Sequence, residues 1–214
     1  MSVQYPARPT DLFDVISGRS SVRSFRTDSI DRTLVVRAIE AAGWAPSPHG
    51  TQPWRFVLLE RKEDRHSLAD RMGASWREQL QLDELPEEVI EHRVARSKDR
   101  LERAPIVAIL CLYLGEAYIY PDPLRQRAET TMAGQSLGAA AQNFLLALHA
   151  QGLDSGWMCA PLFCPDLIRE HLGLGDDLEP HAMFPIGHMD VPPKRRPRRP
   201  VDELIVPVER NPGR

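Results

Sequence analysis

Residues 129–152 read ETTMAGQSLGAAAQNFLLALHAQG, and the fold turns on how this run is buried. It is apolar on almost every side and dense in Gly, Ala and Ser, which predicts a helix from Glu129 to Gln151 that is buried all round. The spacing Gly134-x-x-x-Gly138 permits close backbone approach. It suits a tight contact inside the domain and one between subunits equally well. Such a helix is the spine against which the rest must pack. PIVAILCLYL (105–114) is a continuous apolar run of strand length, which predicts a central strand covered on both faces. WRFVLLE (54–60), LDSGWMC (153–159) and PHAMFPIGH (180–188) read as further strands.

Helices are expected from Asp11 to Gly18, from an N-cap at Asp31 to the stop at Pro46, and over PDLIREHLGL (165–174). HSLADRMGASWREQL (66–80) and EEVIEHRVARSKDRLERA (87–104) read as exposed helices whose charge is mostly a solvated face. Strands and helices alternate, yet there is no GxGxxG and no GxxxxGK[ST] loop, so neither dinucleotide-type nor P-loop phosphate binding is supported. No internal repeat is present.

At 214 residues, 42% hydrophobic and 27% charged, the chain suits one domain, residues 1–214, with a sizeable core. A formal charge of -3 argues against a dedicated nucleic-acid or membrane binder, so its basic clusters are local features. Three cysteines without CxxC spacing indicate neither a disulfide framework nor a zinc knuckle, which points to a reducing cytoplasm. The start, MSVQYPARPTD, lacks a signal pattern, and the most apolar stretch is interrupted by Gln142, Asn143 and His149, so no membrane span is expected. His49, His171, His181 and His188 lack ligand spacing, and no metal is expected. Cys159 and Cys164 read as packing residues. Trp44, Trp54 and Trp157 read as core, with Trp157 the one worth testing against a ligand.

Two basic clusters remain. GRSSVRSFR (18–26) sets Arg19, Arg23 and Arg26 among serines, and KRRPRR (194–199) lies near the other end. Guanidinium groups bind phosphate oxygens in pairs, and hydroxyl and backbone N–H groups fill the remaining lone pairs, so such clusters suit a phosphomonoester. Scattered surface arginines that keep a protein soluble are the plain alternative.

The ordered set RSSVRSF (19–25), helix, APSPHGTQPWRFV (45–57), small-residue helix, GLDSGWM (152–158), LIREHLGL (167–174), PIGH (185–188) and KRRPRRP (194–200) resembles the nitroreductase family of FMN-dependent oxidoreductases. Within it, the wording is most similar to the flavin domain associated with coenzyme F420 ligases, and less closely to flavin-cleaving benzimidazole synthases. The resemblance implies an α+β fold with a central, mostly antiparallel sheet flanked by helices and a long central helix. It implies a homodimer, with a C-terminal basic loop and arm over about 190–214. It places Arg19, Ser20, Ser21 and Arg23 at the FMN phosphate, with Arg196 and Arg198 on its other side. It places Pro46, Ser47 and Pro48 at the flavin ring of the partner subunit. Gly50 departs from the Asn of many members. A backbone N–H within Met158–Pro161 is expected at flavin N5, with Cys159 and Ala160 the leading candidates.

The implied activity is ping-pong hydride transfer from NAD(P)H to a small conjugated or nitroaromatic acceptor. The alternatives are reduction of a deazaflavin precursor and a non-catalytic flavin-binding or regulatory protein. No catalytic side chain is required, because the cofactor performs the hydride chemistry. The group serving N1 and O2 of the ring has no sequence mark in the stretch Met72–Trp76, which reads as a loop.

Overall fold

The computed structural model describes residues 11–208. The N-terminal MSVQYPARPT and the last six residues (209–214), which include the end of the expected C-terminal arm, lie outside them. The chain runs α1 (Leu12–Gly18), α2 (Arg32–Ala42), β1 (Trp54–Leu59), α3 (Lys62–Leu82), α4 (Glu87–Arg103), β2 (Ile106–Tyr113), α5 (Pro123–Ala150), β3 (Asp154–Ser155), α6 (Pro165–Leu172) and β4 (Leu178–Gly187). Single 3-10 turns lie at Pro48–Gly50, Ala160–Phe163 and Val201–Glu203.

The sheet has the order β1-β2-β4-β3 and every pairing is antiparallel. Because strand side chains alternate, β2 feeds two cores. Ile106, Ala108, Leu110 and Leu112 pack with Phe144 and Leu148 of α5 and with Val35 and Ala38 of α2. Val107, Ile109 and Cys111 meet Leu68 of α3, Leu101 of α4 and Ile168 of α6. Helices therefore cover both faces, as a continuous apolar strand requires. Burial of each large side chain such as Phe144 contributes about 1.5–3 kcal/mol. It also lifts the Cys111 thiol pKa to about 11, leaving it an inert packing residue.

α5 begins at Pro123, ahead of the expected Glu129, because Asp122 caps it by accepting from Arg125 N at 3.0 Å and Pro123 fits the first turn. It is not buried all round. Its buried residues, from Ala133 through Leu137, Ala140, Phe144 and Leu148, form one stripe facing the sheet. At one edge of that stripe a Cβ added at Gly134 or Gly138 would meet nothing within 4 Å. Small residues defeat the periodicity argument here, since Ala and Gly look apolar whether or not they are covered. Asp31 caps α2 as expected, accepting from Thr33 N at 2.8 Å, but the helix stops at Ala42, where Gly43 N bonds back to Ile39 O and Glu40 O at 3.1 Å. β3 keeps only two residues of its expected strand. Met72–Trp76 lies inside α3 rather than in a loop.

The first basic motif is stitched to the sheet margin. Ser21 pairs with Ser155 in a parallel bridge and Val22 N donates to Ser155 O at 3.0 Å. On its other side Arg26 N donates to His188 O at 2.9 Å, and Asp190 N to Ser24 O at 3.0 Å. Gly156 makes this possible, since a Cβ there would stand 2.4 Å from Val22 O. Gly156→Ala should therefore push the motif off the sheet and cost about 1–3 kcal/mol, as overpacking does. A lowered denaturant midpoint at unchanged slope would show it.

Candidate cofactor site

The segment leaving β4 pairs with the first motif through Met189 and Asp190, and the closing arginines follow within a few residues. Arg195 anchors them. Its Nη1 donates to Ser17 O at 2.6 Å and its Nη2 to Gly18 O, the free carbonyls at the end of α1, where a cation is favoured. Arg19 stands beside Arg195 and Arg198. Burial first, then the charges of Arg198 and Arg195, push its pKa down. Its Nε is buried with no hydrogen-bond partner among the described residues. A half-buried guanidinium facing like charges is costly unless an anion completes it.

A basic cleft of about 590 Å³ opens between the two clusters, lined by Arg23, Ser24, Arg96, Lys194, Arg195 and Arg196. Arg23 also lines a second, more apolar cavity of about 560 Å³. That cavity lies between the side of α3 carrying Met72 and Trp76, the α4 residues Lys98, Arg100 and Leu101, and the segment Trp157–Cys164 that follows β3. Trp157 is held edge-on to Phe184 at 5.7 Å and reaches the cavity. The pair of spaces thus has a cationic end and an aromatic end joined at Arg23.

The expected residues divide. Arg23 and Arg196 share the cleft, whereas Arg19 and Arg198 come together beside Arg195 without lining either space. Ser20 and Ser21 line neither space, while Ser24, unassigned from sequence, lines the cleft and donates to Asp190 Oδ2 at 3.4 Å. Ala160 lines the apolar cavity; Cys159 does not, and is exposed rather than packed. Met158 N is committed to Met183 O at 3.0 Å. Pro46, Ser47 and Pro48 line neither space of their own subunit. Their loop is shaped by left-handed backbone at His49 (φ 57°) and Gly50 (φ 70°), with Gln52 N donating to Ser47 Oγ at 3.1 Å. Trp54 is core, but Trp44 is 88% exposed.

Sequence reasoning passed over Trp76, Arg96 and Arg100. The signal available was the spacing Arg96-x-x-x-Arg100, which puts both on one helical face. α4 is thus not merely a solvated charged helix.

Residues 16–188 match the Nitroreductase family. The chain belongs to the nitroreductase family. Among its relatives, the 5,6-dimethylbenzimidazole synthase of Rhodospirillum rubrum is 33% identical over 143 residues, 65% of this chain and 64% of that protein. The structure of a BluB-like flavoprotein from Clostridium difficile 630 superposes with a TM-score of 0.76 at 22% identity, covering 94% of this chain and all of the other (100%). The FMN-dependent nitroreductase NfnB from Mycobacterium smegmatis, solved with NADPH, gives a TM-score of 0.70 at 21% identity over 91% of this chain and 96% of its own. The chain thus shares the fold of these structures, in it a helix-covered antiparallel sheet.

Proposed function

We propose that the protein is an FMN-dependent oxidoreductase that takes hydride from NAD(P)H and passes it to a small conjugated or nitroaromatic acceptor. The observation that carries this reading is the joined pair of spaces. The cleft lined by Arg23, Arg96, Arg195 and Arg196, with the unpartnered Arg19 Nε and Arg198 grouped about Arg195, suits a phosphate, and an aromatic-lined cavity of about 560 Å³ suits a flat ring system. The M. smegmatis relative is an FMN-dependent protein solved with NADPH, which supports both assignments by analogy. Bound FMN would supply the hydride chemistry, accepting and returning two electrons at one ring face.

The chain's own residues bind and orient. Arg19, Arg23, Arg196 and Arg198, with Ser24, hold the phosphate. Met158 N is already bonded and Pro161 has no N–H, so Cys159 and Ala160 are the backbone donors left for ring N5. Trp76 and Trp157 line the cavity and give a flat ring aromatic surfaces to pack on.

The partner subunit completes the site. The open edge of α5 at Gly134 and Gly138 supports a subunit contact. So do Phe13 (77%), Ile119 (92%) and Leu124 (80%), exposed apolar side chains that a subunit contact would cover. Pro46–Pro48, absent from their own subunit's cavity, then reach the ring across the interface.

A second reading has its own support in the 33% identity to a benzimidazole synthase. In that case O2, with the reduced flavin, would yield a benzimidazole from the cofactor itself. Reduction of a deazaflavin precursor is the third acceptor class.

Three measurements check the proposal. Arg19→Ala and Arg198→Ala should each weaken FMN by about 1.5–3 kcal/mol, one to two decades in affinity, and riboflavin hardly at all. Equal losses for both ligands would mean that the arginines support folding instead. Sedimentation at micromolar concentration should show a dimer; a monomer that still binds FMN tightly would contradict the shared site. FMN-loaded protein should be reduced by NAD(P)H under anaerobic conditions and reoxidised by quinones or nitroaromatics. Reoxidation by a dehydro-deazaflavin alone, or benzimidazole formation on admitting O2, would replace the general acceptor with the specific one.

A further inference from the structure

We propose that α4 and Arg23 build a second anion subsite beside the phosphate cleft, one that takes the 2′-phosphate of the hydride donor and so makes NADPH the preferred dinucleotide. This rests on the FMN and NAD(P)H reading above and decides between its two donors.

His92, Arg96 and Arg100 recur at intervals of four, which sets them in one stripe along α4. Arg103, at the end of that stripe, donates to Phe25 O at 3.1 Å and to Asp190 Oδ2 at 3.3 Å, so the stripe faces the first basic motif. Like charges such as Arg96 and Arg100 at this spacing destabilise a helix. Neighbouring cations are answered by acids: Lys98 pairs with Asp70, and Arg77 of α3 with Glu87 and Glu91. Arg96 and Arg100 form no ion pair among the described residues. Arg100 Nε is also buried there without a hydrogen-bond partner.

A space of about 370 Å³ opens along the stripe, lined by Arg23, Ser24, His92, Arg96, Asp99 and Arg100. It adjoins the basic cleft, since Arg23, Ser24 and Arg96 line both. The cations around this joined space fall into two groups. Arg19 faces the charges of Arg198 and Arg195, while Arg100 faces those of Arg23 and Arg96. Burial is the larger cause in each case, and both guanidinium pKa values are pushed down. One phosphomonoester, with about two negative charges at neutral pH, answers one such group. The other keeps only Asp99 against it, and half-buried guanidinium groups among like charges are costly until an anion arrives.

The chemistry of the donor fits this remaining group. NADPH and NADH differ in the 2′-phosphate alone, a terminal monoester whose oxygens are free on three sides. Each phosphorus of the pyrophosphate link, by contrast, carries a single charge. An open space walled by guanidinium groups suits the terminal monoester. Arg23 and Arg100 also line the apolar cavity proposed for the flavin ring, so the subsite borders the place where the dinucleotide must lie. The hydride passes from NADPH to the flavin with its two electrons, leaving NADP+. The 2′-phosphate takes no part in that step and contributes binding alone.

The test uses FMN-loaded protein under anaerobic conditions and compares flavin reduction by NADPH and NADH. The half-saturating concentration should be about tenfold lower, or more, for NADPH, and the preference should shrink as salt rises. Adenosine 2′,5′-bisphosphate should inhibit the reduction more strongly than 5′-AMP. Two variants lie outside both the cleft and the ring cavity. Ala95→Glu, which sets a carboxylate in the α4 space, should erase the preference; Asp99→Asn, which removes one, should widen it. Arg96→Gln should narrow it. Equal use of the two dinucleotides by the unaltered protein overturns the proposal, as does a preference that none of the three variants moves. Equal losses of NADPH and NADH in Arg96→Gln overturn it too, because Arg96 would then serve the flavin or the fold. If neither dinucleotide reduces the bound flavin, the donor reading itself is wrong and the subsite falls with it, a result seen before any variant is made.

Discussion

The close passage of Val22 over Gly156 is the constraint on which the site depends. Backbone meets backbone there, with Val22 N bonded to Ser155 O and no room for a Cβ on Gly156. That contact seats the first basic motif beside β3, and the bonds of Arg26 and Ser24 to residues 188 and 190 then bring in the chain that carries the closing arginines. Two clusters about 170 residues apart meet because one strand-like segment is gripped from both sides. Mutual repulsion among Arg19, Arg195 and Arg198 opposes that meeting. The backbone bonds, the Arg195 contacts to the end of α1 and the hydrophobic anchors Val22 and Phe25, both fully buried, offset it.

The sheet does the remaining positioning. Its two faces carry separate cores, and only the one under α3, α4 and α6 adjoins the apolar cavity. The other face, filled by α2 and α5, supports the helix whose edge is open at Gly134 and Gly138. Ring cavity and proposed subunit contact thus fall on different parts of one framework, and the Pro46–Pro48 loop, between α2 and β1, is the piece that would connect them across two subunits.

Much of this was legible in the chain. β2, whose residues need cover on both sides, the span of α1 and the capped start of α2 followed from local pattern. The pairing of the Arg/Ser motif with the closing basic run came from a family resemblance, not from spacing, because convergence over that distance is a property of the sheet order. What escaped had physical reasons. α5 looked buried all round since Gly and Ala carry little mark of which side is covered. Trp76 and Arg100 were hidden in helices whose high charge suggested solvent, and a helix can be mostly wet while one narrow strip lines a cavity. Ser20 and Ser21 matched a motif, yet the serine side chain that reaches the cleft is that of Ser24, next to the bonds that join the segment to residues 188 and 190.

The hold of Arg195 on Ser17 and Gly18 has a consequence for the order in which the molecule can assemble. The guanidinium follows the carbonyls it engages by 178 and 177 residues, so it is made long after them. Helices and the β1–β2 pair can form meanwhile from nearer partners, but the anion cradle cannot. It is a late, long-range closure, whose loop entropy is met only once the core exists to hold its ends. A newly made subunit would therefore pass through a stage with a packed interior and an open anion cradle, and cofactor capture would follow folding of the core instead of nucleating it.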